Sequence, residues 1–360
     1  MNLRPVGKRP PCRGGGAYVL IFFDYMTHEF RACYNGGAYQ LGTGSWWNMW
    51  QQHLTKKLTY LQRSLRAQLT LARFACPSCQ AARSHVVERK FLVTQLRRCE
   101  NCKLLFRAPT DDPGVNADYY ERKYTEGFTT NTPSDAALAE MKRTNFAGTE
   151  KDYSYYIGVL TQLGLKAGAR IFDYGCSWGY GSYQLAKAGF SVTAFEVAHG
   201  RKRYAQEKLG IQIVEDMDLA TVEFPAQFDC FFSAHVLEHV PSPAQSFDYA
   251  IRLLKPDGIF VSFTPNGSEG FRAVSPDWSK LWGEVHPNFI DDVFLDLSFR
   301  RSPRTIGSSP VTNASIPNEV VMRRLDGLDR GELFFASRKN GAIWAEHLKL
   351  ASPKVQVYRR

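Results

Sequence analysis

Three groups of residues in this 360-residue chain have types and spacings that could do chemistry. The first is an acid followed by glycines: Asp173, then Gly175, Gly179 and Gly181, with Glu196 a further strand along. Glycines let a chain turn sharply and approach a ligand closely. Their spacing, G-x-x-x-G-x-G, departs from the G-x-G-x-x-G of dinucleotide sites, where a helix N-terminus receives a pyrophosphate. A carboxylate at Asp173 would repel a phosphate and attract a cation. Glu196 stands where an acid can accept hydrogen bonds from ribose hydroxyls. S-adenosylmethionine meets both demands, because it carries an ammonium, a sulfonium and a ribose but no phosphate. The second group is Cys76, Cys79, Cys99 and Cys102, spaced C-x2-C-x19-C-x2-C, the pattern of a zinc ribbon. Four thiolates close a tetrahedron and leave no position for water, so the expected Zn2+ is structural. The third is His235, Glu238 and His239, with His286 further on. A histidine can take a proton from a hydroxyl near neutral pH.

The elements that must position these groups follow from patterning. Arg170–Tyr174 is a short apolar run suited to a buried parallel strand. "YGSYQLAKAG" has helical spacing and ends at Gly189. "FSVTAFEV" is strand-like again, which completes a βαβ unit. "IQIVED" and "FDCFFSA" read as the next strands, and His235 follows the latter at the carboxyl edge, where parallel sheets bind ligands. "SDAALAEMKRTNF" and "YSYYIGVLTQLG" read as helices before the first strand.

"FDYGCSWGYG" resembles the first motif of the class I S-adenosylmethionine-dependent methyltransferases, with Ser177 where a glycine is common. "EFPAQFDCFFSAHVLEHVPSP", "LLKPDGIFVSFTPN" and "GELFFASRKN" resemble their later strands. The resemblance covers about residues 155–340. It implies an α/β, Rossmann-like seven-stranded sheet with a small N-terminal zinc ribbon. It further implies a cofactor site of Asp173, Gly175, Cys176, Gly179, Glu196, Asp216, Met217 and Ser233, and catalytic candidates His235, His239 and His286. In relatives an insertion after the fifth strand closes over the acceptor. His286 matches it, among Trp278, Trp282 and Phe289 that would suit stacking on a sugar face. Bacterial relatives with an N-terminal ribbon often serve sugar or glycan pathways, so the implied acceptor is a small molecule such as a sugar or nucleotide sugar.

Charge is unevenly distributed. Residues 1–110 hold 17 Lys+Arg against 4 Asp+Glu, whereas the other 250 hold 28 against 31. The basic N-terminal third fits an RNA methyltransferase as a second reading. A binding protein with a degenerate methyltransferase fold is a third. No apolar run approaches the roughly 18 residues of a membrane span, and a cytoplasmic location is expected. The expected organisation is 1–68, an extension partly disordered or helical; 69–110, the ribbon; 111–165, a helical linker or cap; 166–340, the methyltransferase domain; and 341–360, a tail. The ribbon and the methyltransferase domain are expected to have separate cores.

Overall fold

The computed structural model describes residues 4–5, 20–24, 29–34, 37–40, 62, 64–65, 71–90, 93–111, 131–215, 227–300, 302–309, 327–339 and 356–358. It divides into two units, Met1–Arg66 and Ala67–Arg360.

In the first unit, strands stand where a disordered or helical extension was expected. β1 (Arg4–Pro5), β2 (Leu20–Asp24), β3 (Glu29–Tyr34) and β4 (Gly37–Gln40) form an antiparallel sheet in the order β1-β4-β3-β2. Tyr34 pairs with Gly37, and the intervening sequence is Asn-Gly, the dipeptide that favours a two-residue hairpin.

The second unit begins with the cysteine-bearing segment. β5 (Ser84–Lys90), β6 (Thr94–Cys99) and β7 (Leu105–Ala108) pair antiparallel in succession. Two helices follow, α1 (Asp135–Arg143) and α2 (Ser154–Gln162). α1 starts at Ser134, whose side chain accepts from Ala137 N–H, a normal N-cap. The core sheet then alternates with helices: β8 (Arg170–Tyr174), α3 (Tyr180–Lys187), β9 (Ser191–Phe195), α4 (His199–Leu209), β10 (Gln212–Val214), β11 (Phe228–Ala234), α5 (Pro243–Leu253) and β12 (Leu254–Pro265). After α6 (Glu269–Val274), β13 (Asn288–Phe289) and α7 (Asp292–Ser298), the chain returns through β14 (Arg304–Ser309), β15 (Glu332–Arg338) and β16 (Gln356–Tyr358).

The sheet order is β10-β9-β8-β11-β12-β15-β14-β16. β10 through β12 are parallel, and β15 slots antiparallel between β12 and β14. Seven strands follow the expected arrangement. The eighth, β16, comes from the tail and pairs with β14. β8 and β11 are buried almost throughout because helices cover both sheet faces, as an interior parallel strand requires. The order reverses between β8 and β11, which opens a crevice at their carboxyl ends.

The ribbon does not have a core of its own. Cys76, Cys99, Leu104 and Phe106 belong to the same buried cluster as Phe172, Phe231 and Phe260 of the sheet. β13 also joins the ribbon as a fourth strand beside β7. The expected separation of cores is therefore corrected: three short strands bury too little apolar surface to stand alone. Among the described residues, no helix is long and apolar enough to cross a membrane.

Candidate functional site

The turn after β8 is built for tight approach. Gly175 and Gly179 have φ of 84° and 87°. A Cβ on Gly175 would lie 2.5 Å from Val236 Cγ2, so any side chain there forces the crevice loops apart. Ser177 also sits in the left-handed region at φ 53°, a cost of about 1–2 kcal/mol for a non-glycine residue. Its N–H donates to Glu196 Oε2 at 3.0 Å. Gly175 and Cys176 N–H both donate to Phe195 O at 2.8 and 3.0 Å, which ties the turn to the end of β9.

Asp173 is 2% exposed and accepts from Ser182 Oγ–H at 2.5 Å. Burial raises its pKa to about 6; Ser182 opposes the rise and Glu196 adds to it. Glu196 is also buried, and its Oε1 accepts from Ala198 N–H at 2.9 Å. Arg201 Nη1 stands 3.8 Å from Glu196 Oε1, whereas burial of Asp173 disfavours its charge, an effect that a bound cation relieves. Cys176 is buried beside them, and Ser233 lies wholly inside β11 with no hydrogen-bond partner for its Oγ. Asp216 and Met217 lie outside the described residues.

On the other side of the crevice, His235 takes a φ of 56° and its N–H donates to Phe263 O. Its Nε2 is 2.9 Å from Glu332 Oε1, and its Nδ1 is 3.4 Å from Glu238 Oε1. Tyr156 Oη–H donates to the same Glu332 oxygen at 2.9 Å. Burial disfavours the charge on His235, but the two carboxylates outweigh it and lift its pKa to about 10. The direction favours the protonated imidazole at neutral pH, which suits a positioning role better than that of a proton acceptor. His239 behaves oppositely. Burial lowers its pKa to about 4, and its Nδ1–H donates to Val285 O at 2.9 Å. His286 Nδ1–H donates to Leu281 O at 2.9 Å, and the two rings meet edge to face at 4.6 Å. All three histidines therefore converge at the crevice.

Glu332 and Tyr156 complete this side without having been among the expected site residues, and Glu238, grouped with His235 from the sequence, is one of its two carboxylate neighbours. The available signals were an acid opening the apolar run "ELFFAS" and a tyrosine cluster at helical spacing that reads as core. The aromatic insertion differs from expectation. Trp282 and Phe289 are buried against Leu96 and Leu105 of the ribbon, and Trp278 stacks on Phe289. Lys90 donates to the carbonyls of Ser279 and Trp282. Trp282 and Phe289 thus fasten the insertion to the ribbon and are not available for stacking on a sugar, while Trp278 stays half-buried.

The four ribbon cysteines have Sγ atoms within 4.8 Å of one another, with Cys76–Cys102 and Cys79–Cys99 at 3.5 Å. A tetrahedron of Zn–S bonds of about 2.3 Å requires sulfur separations of roughly 3.8 Å. The set fits a structural zinc ion, with Cys76 and Cys79 on one knuckle and Cys99 and Cys102 on the other. A cavity of about 520 Å³ lined by Asn101, Phe260, Arg300 and Lys339 lies at the far end of the sheet from the crevice.

Residues 172–262 match the family model described as a methyltransferase domain. The ubiquinone biosynthesis O-methyltransferase of Xylella fastidiosa (strain 9a5c) is 41% identical over 106 residues, 27% of this chain and 42% of that protein. The protein of the same name from Xanthomonas oryzae pv. oryzae (strain PXO99A) is 37% identical over 106 residues, 27% and 43% of the two chains. The chain thus spans less than half the length of these curated relatives. Among solved structures, a geranyl diphosphate C-methyltransferase from Streptomyces coelicolor A3(2) aligns with 63% of this chain and 97% of its own, at 15% identity and a TM-score of 0.43. The observed strand order is that of an α/β, Rossmann-like methyltransferase fold, and residues 172–262 within it match a methyltransferase domain.

Proposed function

We propose that the protein transfers a methyl group from S-adenosylmethionine to an oxygen of a small-molecule acceptor. The observation that carries this reading is the buried Asp173 near the end of β8, two residues before Gly175, with Glu196 holding the same turn from just after β9. Two buried acids at a glycine turn favour a cationic ligand with a diol over a dinucleotide. The names of the relatives over the matched segment, O-methyltransferases, support oxygen as the accepting atom.

The sulfonium is already an excellent leaving group, so alignment supplies much of the acceleration. The methyl carbon passes to the acceptor oxygen as the S–C bond breaks, its electrons stay on sulfur, and the hydroxyl proton leaves to solvent. His235, held as a cation by Glu238 and Glu332, orients an electron-rich acceptor group and does not take that proton. A sugar stacked on the insertion is disfavoured because Trp282 and Phe289 are spent on the ribbon.

Calorimetry tests the cofactor assignment. S-adenosylmethionine is expected to bind, and Asp173→Ala to weaken it strongly. Binding of NADH with none of S-adenosylmethionine would overturn the reading. Isotope-labelled methyl transfer to a small-molecule extract then identifies the acceptor.

A further inference from the structure

The geometry points to a second metal site, formed by Glu238, His239 and His286, that takes a divalent transition cation of the zinc class on the acceptor side of the crevice. One ligand atom from each residue lies within 4.8 Å of the others. His239 Nε2 is 3.8 Å from Glu238 Oε1.

The histidines are oriented as ligands. A backbone carbonyl can only accept, so Val285 O and Leu281 O fix the proton of each ring on Nδ1. The lone pair is then on Nε2 in both. A ligating histidine is commonly held in this way, with its other nitrogen donating to a carbonyl. Glu238 supplies the anionic ligand. Its Oε2 accepts from Thr264 Oγ1–H at 3.0 Å, and its buried Oε1 lies 3.4 Å from His235 Nδ1 and 3.8 Å from His239 Nε2. The carboxylate therefore stands beside the His239 lone pair, where one cation can draw on both groups.

The loops that carry the ligands are clamped together. Asn288 donates through Nδ2 to Leu237 O and Val240 O at 3.2 and 2.7 Å, and through its backbone N–H to Glu238 O at 3.1 Å. β13, which contains Asn288, is itself paired with ribbon strand β7. His235 is not a ligand, because its Nε2 is committed to Glu332 and its Nδ1 faces the Glu238 carboxylate at 3.4 Å.

Two imidazoles and one carboxylate suit zinc or cobalt, whereas magnesium and calcium prefer all-oxygen shells. Three protein ligands leave one position for water or an acceptor oxygen. That last role rests on the methyl-transfer reading, but cation binding does not.

Cobalt(II) titration of the chelator-stripped full chain, followed by absorption, is the test. About two equivalents are expected, one with intense thiolate bands and one with weaker bands of nitrogen and oxygen ligation. His286→Ala and the near-isosteric Glu238→Gln should each remove the weaker bands. They should weaken that uptake by more than the roughly 100-fold that loss of an outer partner costs. The thiolate bands should persist in both and report that the variants fold. Uptake of one thiolate-ligated equivalent alone, or a second uptake unchanged in both variants, would overturn the site. Neither S-adenosylmethionine nor an acceptor is present, so a failure of the methyl-transfer reading cannot mimic either result.

Discussion

The two sides of the crevice are built differently. The cofactor side is nearly contiguous: Asp173, Gly175, Ser177, Gly179, Ser182 and Glu196 all come from one βαβ unit. The acceptor side gathers Tyr156 from α2, His235 through His239 after β11, His286 from the insertion and Glu332 from β15. The first is held by backbone geometry and buried charge. The second is held by paired charges and by strands of the ribbon. A local unit can be fixed by its own turn chemistry, whereas a dispersed one depends on everything that packs behind it.

That contrast predicts which perturbations reach which side. Stripping metal from the ribbon should have the largest effect, because structural zinc sites contribute on the order of 10 kcal/mol. Since the ribbon shares a core with the sheet, chelation should lower the melting temperature of the 67–360 unit as a whole. Hydrogen exchange should rise first at 278–290, which is sewn to the ribbon, and later at 173–182. Release of an intact, unchanged methyltransferase core would break the comparison.

Gly175→Ala comes next. The φ of 84° and the close approach of Val236 combine left-handed strain of about 1–2 kcal/mol with overpacking of about 1–3 kcal/mol. Urea denaturation should show a loss of that order, with cofactor affinity falling in parallel. Unchanged stability would mean that the turn relaxes at little cost.

Asp173 sharpens the electrostatic half of the contrast. Its folded pKa of about 6 lies above the unfolded value of about 3.9. Relative to Asp173→Asn, the ligand-free protein is therefore favoured below pH 4, and this advantage is lost as pH rises through 6. The difference is about 3 kcal/mol. A bound cation favours the ionised form, so affinity for S-adenosylmethionine should climb through the same window. The asparagine variant should be flat in both measurements; an identical pH profile would remove Asp173 from the site.

The smallest effect is expected at Glu332. Glu332→Gln removes one of two carboxylates that hold His235 near 10, so its pKa, followed by NMR, should fall toward about 6.5. In the wild type this charge pairing is fully present below about 6.5 and fades as pH rises through 10. A pKa that stays in place would assign the shift to Glu238 alone.

The sequence by itself determined the local features. Apolar runs placed β8 at Arg170–Tyr174 and β11 at Phe228–Ala234, because a fully buried parallel strand leaves a continuous hydrophobic signal. Glycine spacing marked the cofactor turn, and cysteine spacing marked the ribbon. Only the tertiary structure decided that His235 meets two carboxylates that raise its pKa, since Glu332 reaches it from β15, 97 residues away. The tertiary structure likewise decided that the insertion aromatics face the ribbon, and that Glu238, His239 and His286 share one corner. A histidine's charge depends on which acids the strand order brings beside it, and strand order is a property of the whole sheet.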